Sequence, residues 1–282
     1  MDAVAFNQFI LLLASCAVGT TFILNKKIAA KHFSAATNTS AITITSAIVA
    51  LPLLFVHFYA STSLWTWLLI FLSVTVYGIG NYFGFRAYKE TDASIVGIIN
   101  KSSVVLTALL GIFLLHEGYT DKKYIGLFLI LLSNIVILFE KKKIVVNRGI
   151  LFAFIMAGAS SLAGVFDKQI LNDFSPFTYV FVNNFLIWLL FAFRKNALRD
   201  TLSCMRTNTL LVSLCALFNT GSWTAFLFVL QKTNVSQTLP VYKGLSFILP
   251  VVLGITLLGE NNKLWQKILG VIIGVGGIML LY

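Results

Sequence analysis

Ten apolar runs, each about as long as a membrane-crossing helix, constrain this chain more than any other feature. A helix needs about 20 consecutive apolar residues to cross the hydrocarbon core of a bilayer. Only 11% of the 282 residues are charged, whereas a soluble domain has about 25%. We therefore predict an all-α membrane protein with ten transmembrane helices. The predicted helices are 4–24, 37–56, 64–85, 93–115, 124–139, 149–166, 177–193, 209–230, 236–258 and 264–282.

Basic residues are distributed unevenly over the connections between these helices. The positive-inside rule places the more basic face in the cytoplasm, so both termini are predicted to lie outside it, in a cell inner or plasma membrane. The rule also accounts for the net charge of +11 without a nucleic-acid partner. The loops after helices 1, 3, 5, 7 and 9 carry fifteen basic residues: Lys26, Lys27, Lys31, Arg86, Lys89, Lys141, Lys142, Lys143, Arg148, Arg194, Lys195, Arg199, Arg206, Lys263 and Lys267. The other loops carry four: Lys122, Lys123, Lys168 and Lys232.

The two halves of the chain resemble each other when one is shifted by about 142 residues. An odd number of helices per half requires the halves to insert in opposite orientations, and inverted repeats of this kind bind substrate near the midplane between them. We therefore predict two inverted five-helix repeats, 1–143 and 144–282. The aligned residues include Asn25 with Asp167, Thr91 with Thr233, Ser94 with Ser236, Lys101 with Lys243, and Glu117 with Glu260.

Two lysines, Lys101 and Lys243, lie inside apolar runs at matching places in the two halves. Each is about eight residues into its run, roughly 10 Å below the membrane surface at a rise of about 1.5 Å per residue. A lysine at the centre of a membrane helix costs about 2.5–3.5 kcal/mol. The acidic residues, Asp167 among them, are all predicted to lie near helix ends, so the sequence suggests that an anionic substrate neutralises the lysines. An alternative is that both side chains snorkel to the interface.

Other polar and aromatic side chains at similar depth complete the predicted substrate site. For the asparagines the alternative role is hydrogen bonding between helices, and for the aromatic residues it is ordinary packing. Neighbouring helix residues point about 100° apart, so Asn100 and Lys101 cannot both face the centre of one pocket. The candidates besides the lysines are Asn100, Tyr242, Asn183, Asn184, Trp223, Tyr82, Asn81 and Asn219.

Short motifs repeated in both halves resemble the EamA-like branch of the drug/metabolite transporter (DMT) superfamily. The motifs are Thr91-Asp92-Ala93-Ser94, Leu115-His116-Glu117, Gly126, Gly259-Glu260 and Gly270. The resemblance implies a ten-helix transporter of inverted repeats, although the proline common in helix 4 is missing here. Residues 181–184 (Phe-Val-Asn-Asn) and 97–101 (Gly-Ile-Ile-Asn-Lys) are also similar to motifs of nucleotide-sugar transporters, which together with the related phosphate translocators implies recognition of an anion.

These observations favour a secondary transporter of a small organic anion, such as a phosphorylated or carboxylate metabolite, working by alternating access. The alternative is an exporter of amino acids or other neutral or zwitterionic metabolites, with the lysines in a gating role; a membrane scaffold is a further alternative. No catalytic residues, metal ligands or nucleotide-binding loop are found, so we expect no enzyme activity and no cofactor.

Glu117 and Glu260 are expected to have basic or hydroxyl partners and a structural or gating role. Gly270, Gly274, Gly276 and Gly277 indicate close helix packing, within the fold or in a homodimer.

Overall fold

The computed structural model describes residues 3–115, 118, 120–140, 143–144, 146–233, 238, 242–243 and 246–281. These residues form twelve α-helices, a short 3₁₀ helix at Leu51–Phe55, and a hairpin of two-residue antiparallel strands, β1 (Phe139–Glu140) and β2 (Lys143–Ile144). The helices are α1 Ala3–Ala29, α2 Ala35–Ala50, α3 Leu64–Glu90, α4 Ala93–Asn100, α5 Ser102–Leu115, α6 Asp121–Leu138, α7 Arg148–Ile170, α8 Pro176–Ala192, α9 Ala197–Thr207, α10 Thr209–Lys232, α11 Ile248–Leu258 and α12 Leu264–Met279.

The all-helical prediction is confirmed, and each predicted span contains a helix of the structure. Within the described residues, six helical segments are long and apolar enough to cross a membrane, or seven if the bent pair α8–α9 counts as one span. Two further apolar helices, α11 and α12, are shorter. The predicted fourth span is divided at Lys101 into α4 and α5. The count of ten spans and the inverted orientation of the halves remain predictions.

Local signals in the sequence explain where several of these helices begin and end. Ser34 precedes α2 and accepts a hydrogen bond from the backbone N–H of Thr37 at 3.1 Å, which satisfies one of the four free donors at a helix start. Asn147 caps α7 in the same way through Ile150. Gly259 ends α11 in the left-handed conformation, with φ of 67°, which a residue without Cβ adopts at little cost.

Equivalent lysines make equivalent contacts in the two halves. The ammonium of Lys26 donates to the carbonyls of Tyr88 and Thr91 at the end of α3, at 2.7 and 2.8 Å. Lys168, 142 positions later, donates to the carbonyl of Thr233 at the end of α10, at 2.7 Å. Likewise α1 packs along α10, and α7 packs along α3. The internal repeat seen in the sequence therefore extends to side-chain contacts and helix packing.

The last helix crosses α6 through glycines on both sides. A Cβ at Gly126 would lie 2.6 Å from the carbonyl oxygen of Gly277, and one at Gly277 would lie 2.7 Å from that of Gly126. Gly270 also faces α6, whereas a Cβ at Gly276 would meet nothing within 4 Å. Close packing by Gly126, Gly270 and Gly277 therefore occurs within the chain, and a homodimer through the last helix stays a prediction.

Helix α9 was not predicted, because the sequence around it reads as a charged connection. It bends by 120° from α8. Thr201 and Cys204 are buried against α2. There the Thr201 hydroxyl donates a hydrogen bond to the Ser40 hydroxyl at 3.0 Å. Leu198 and Leu202 are exposed. The helix is thus amphipathic, with its small residues forming the packed face.

Candidate functional site

A cavity of about 170 Å³ lies at the centre of the helical bundle, bounded by α1, α3, α4, α7, α8 and α10. Its wall is unusually rich in carboxamides, since six asparagines line it. Apolar side chains such as Phe22, Met156 and Ile187 complete the lining. The six asparagines are Asn25, Asn81, Asn100, Asn183, Asn184 and Asn219.

Most of the residues predicted for the site lie on this cavity, but two do not. Tyr82 packs against Phe83 and stacks on Phe191, with ring centroids 6.5 Å apart. It belongs to an aromatic cluster beside the cavity, because it follows Asn81 on α3 and points to another face. Lys101 is the second exception. The residues that do line the cavity are Lys243, Asn100, Tyr242, Asn183, Asn184, Trp223, Asn81 and Asn219.

Lys101 points away from the cavity and toward α12. Its side chain is 1% exposed, its ammonium donates to the carbonyl of Gly270 at 2.9 Å, and it lies 4.4 Å from the ring centre of Phe247. A Cβ at Gly274 would lie 2.5 Å from the ammonium nitrogen, so this glycine makes room for the lysine. The preceding residue, Asn100, takes the cavity-facing position. The structure therefore separates the two lysines that the sequence analysis paired across one substrate.

Lys243 remains on the cavity wall, with a partly exposed side chain. Its ammonium is 3.4 Å from the carbonyl oxygen of Ser160, a long hydrogen bond. The adjacent Tyr242 is held by a 2.8 Å hydrogen bond between its hydroxyl and that of Ser222, and by stacking on Phe226 at 4.5 Å. These contacts hold the wall beside the ammonium, which borders the cavity.

Asp167 was not among the predicted site residues. It lies near a helix end as expected, in the last turn of α7, which ends at Ile170, but it is fully buried. Its carboxylate accepts hydrogen bonds from the hydroxyls of Tyr77 and Tyr179, both at 2.6 Å, and from Ser73 at 3.4 Å. Tyr77 lines the same cavity as Lys243, so a carboxylate is buried inside the bundle behind the cavity wall, where the sequence indicated none.

Several buried polar atoms on the cavity wall have no hydrogen-bond partner within the described part of the chain. They are the side-chain oxygens of Asn100 and Asn183, the indole N–H of Trp223 and the hydroxyl of Tyr88. Buried polar groups in proteins are nearly always paired. These acceptors and donors on the same cavity can therefore bind the polar groups of a small ligand.

A smaller cavity, of about 50 Å³, continues from the central one toward α2. The two share Asn25, Asn81 and Asn219, and the smaller one is also lined by Thr39 and Thr43. Polar side chains thus extend from the centre of the bundle toward the first half of α2, whose start lies on the face predicted to be cytoplasmic.

Glu260 joins the two halves of the chain outside the cavity. Its carboxylate accepts from the backbone N–H groups of Ala93 and Ser94 at 2.8 and 3.0 Å, and from the Ser94 hydroxyl at 2.5 Å. Lys267, also fully buried, pairs with Asp92 at 2.8 Å and lies 3.9 Å from the Glu260 carboxylate. The expectation of hydroxyl and basic partners is confirmed for Glu260, and Lys267 is not the exposed loop residue that the charge count assumed. Glu117 lies outside the described residues.

A bundle of apolar helices with an asparagine-rich cavity between two repeats is typical of an integral multi-pass membrane protein of the transporter class. The model of the EamA-like transporter family matches residues 6–139 and again 147–282. The chain therefore belongs to the EamA-like transporter family, within the DMT superfamily.

The fold also occurs among solved structures. One described only as "Crystal structure of protein" superposes with a TM-score of 0.64 at 13% sequence identity, covering 98% of this chain and 96% of that one. At this identity the likeness concerns the fold alone. No curated protein matches the chain significantly.

Proposed function

We propose that this protein is a secondary transporter of a small, amino-acid-like metabolite that carries a carboxylate, and that it works by alternating access. The proposal rests on one observation: Lys243 lies on a cavity lined by asparagines, and Tyr77 on the same cavity joins it to the buried carboxylate of Asp167. The ammonium would bind the carboxylate as a point charge. The amide and indole groups would bind the remaining polar atoms.

The balance of charge favours a zwitterion over a multiply charged anion. Lys101 hydrogen bonds within the helical bundle and does not line the cavity, so Lys243 alone contributes an ammonium among the described lining residues. The negative charge of Asp167 offsets that ammonium. A cavity that is nearly neutral overall would discriminate against a phosphorylated substrate, because a second negative charge would have no partner in a low-dielectric site.

The volume of the cavity also favours a substrate of amino-acid size. A cavity of about 150 Å³ can hold benzene, and a water molecule occupies about 30 Å³ of liquid. The central cavity, at about 170 Å³, therefore suits a molecule of amino-acid size and is too small for a nucleotide sugar.

The turn between α4 and α5 lies next to the site. Transporters of inverted repeats bind substrate near the midplane and move one repeat against the other. Here the turn falls at Lys101, whose backbone keeps right-handed helical angles, one residue beyond the cavity-lining Asn100. A small rotation of α4 would therefore change the wall of the site directly.

A ligand panel tested on matched lysine variants will check the proposed function. We expect some of the twenty amino acids to raise the melting temperature of the purified protein, because a ligand at 100 times its Kd stabilises the native state by about 2.7 kcal/mol. Lys243→Met should abolish this shift, since it removes the ammonium and keeps the side-chain length. Lys101→Met, the same substitution outside the cavity, should retain it.

Two outcomes of the panel would contradict this proposal. A shift with phosphorylated sugars or dicarboxylates and none with amino acids would favour the anion transporter. If the ligand raises the melting temperature of wild type and Lys243→Met equally, the Lys243 ammonium does not bind it.

The orientation of the chain is a further prediction. Without the buried Lys267, fourteen basic residues in one set of loops against four in the other should place a reporter fused after Tyr282 outside the cytoplasm. Alkaline phosphatase fused there, which is active only after export, should give high activity, and a fluorescent protein that requires the cytoplasm should stay dark. Strong cytoplasmic fluorescence would reverse the assignment.

A further inference from the structure

Asp167 is connected to the central cavity by two chains of hydrogen bonds. In the first, Tyr77 lines the cavity and donates to the carboxylate at 2.6 Å. In the second, the amide of Asn183 donates to the Tyr179 hydroxyl at 3.2 Å, and this hydroxyl donates to the carboxylate at 2.6 Å. Trp223, also on the cavity wall, packs against both tyrosine rings at 5.3 and 5.6 Å. A buried acid is thus in contact with the site through hydroxyl groups, which can pass protons.

The internal repeat shows what the carboxylate adds to this position. The equivalent residue in the first half is Asn25, whose side-chain oxygen accepts from the thiol of Cys215 at 3.2 Å. Shifted by 142, this contact is the one between Ser73 and Asp167. The geometry is thus retained with a neutral amide in one half and an acid in the other. Since asparagine suffices for a hydrogen bond between helices, the acid supplies something else, namely a charge that a proton can neutralise.

We propose that Asp167 is the proton-binding site of this transporter, and that its protonation is coupled to substrate binding on Lys243. This inference rests on the proposed function, because it assumes that a carboxylate-bearing substrate occupies the central cavity. Carboxylates buried among membrane helices commonly bind the protons that pumps and transporters move.

The sign of the coupling follows from the groups that face Asp167. These are Tyr77 and Ser73 from α3 and Tyr179 from α8. Tyr77 joins the acid to the cavity, where Lys243 and Tyr242 from the segment before α11 also lie. Only Lys243 among them is a cation. When Asp167 is ionised, it offsets the ammonium and weakens the attraction for a substrate carboxylate. When a proton neutralises Asp167, that attraction increases. Proton and substrate should therefore bind together and move in the same direction, because linkage is reciprocal.

The first experiment needs no substrate. Acid-minus-alkaline infrared difference spectra of the purified protein report the C=O band of each carboxylic acid that gains a proton. We expect the wild-type spectrum to contain a band that is missing in Asp167→Asn. The band should be unchanged in the control Asp173→Asn. This variant makes the same substitution six residues later, at an acid that accepts a hydrogen bond from Thr66. Asp167→Asn should fold, since the first repeat already carries asparagine at this position.

The second experiment measures coupling with an equimolar mixture of the twenty amino acids as the probe. In weakly buffered solution, binding to wild type should take up protons, and the apparent affinity should rise as the pH falls. Asp167→Asn should bind without proton uptake, with an affinity that no longer depends on pH, because the neutral amide mimics the protonated acid.

The two experiments separate failure of the coupling from failure of the proposed function. Identical infrared spectra in wild type and Asp167→Asn would overturn the proton site. Proton uptake that persists in Asp167→Asn would also overturn it. If the infrared band is lost as expected but the amino acids do not bind, the proton site is supported and the proposed substrate class is wrong.

Discussion

Replacing Glu260 with alanine is expected to destabilise the protein by about 3 kcal/mol. The change removes the acceptor of two backbone N–H groups and one hydroxyl at the start of α4. Hydrogen bonds to a charged group contribute about 1.5–3 kcal/mol each, and a buried donor left unpaired costs about 1–3 kcal/mol. It also removes a carboxylate 3.9 Å from the fully buried ammonium of Lys267. Asp92 still pairs with that lysine, so the loss stays below that of a wholly unpaired buried charge.

The thermal melting of the purified protein will measure this effect, at about 2–4 °C per kcal/mol. Glu260→Gln keeps one acceptor and should lie between wild type and Glu260→Ala. Glu90→Ala is the matched control, because that acid makes only a partly exposed pair with Arg86 at 3.8 Å and should change stability by less than about 0.5 kcal/mol. If Glu260→Ala melts like Glu90→Ala, the contact does not hold the two halves together.

Adding one methyl group at Gly126 is expected to be nearly as damaging. In Gly126→Ala the new Cβ would lie 2.6 Å from the carbonyl oxygen of Gly277. This neighbour is backbone, so α6 and α12 would have to move apart, and overpacking of this kind costs about 1–3 kcal/mol. Alanine is favoured over glycine inside a helix by roughly 1 kcal/mol. The variant is destabilised because the overpacking cost exceeds this gain.

Gly276→Ala offers an internal comparison on the facing helix. A Cβ there meets nothing within 4 Å, so only the helix propensity acts, and the variant should be as stable as wild type or more so. Melting temperatures of the two variants should therefore shift in opposite directions. A destabilised Gly276→Ala together with a change in oligomeric state would instead place this glycine in a homodimer interface.

Much of the architecture was predictable because it depends on local composition. Runs of apolar residues predicted a helix in each of the ten places, since a backbone in lipid must satisfy its own hydrogen bonds. The spacing between Lys26 and Lys168 predicted the repeat, and the depth of Asn81, Asn183 and Asn219 predicted residues that line the cavity. Helix ends were less accurate. Asp167 was placed at a helix end because the apolar run stops one residue earlier, at Phe166.

Which side of each helix faces the cavity was decided by the tertiary structure alone. Asn100 and Lys101 have the same depth and the same apolar neighbours, and the rotation of α4 against α12 determines that the asparagine lines the cavity and the lysine packs on Gly274. The apolar surroundings of both residues leave no periodic pattern from which that rotation could be deduced. The sequence by itself thus determined the helices, the repeat and the depth of the polar residues. Only the packing of helices against one another could bring Asp167, Tyr77 and Lys243 together, because their proximity depends on contacts between residues far apart in the chain.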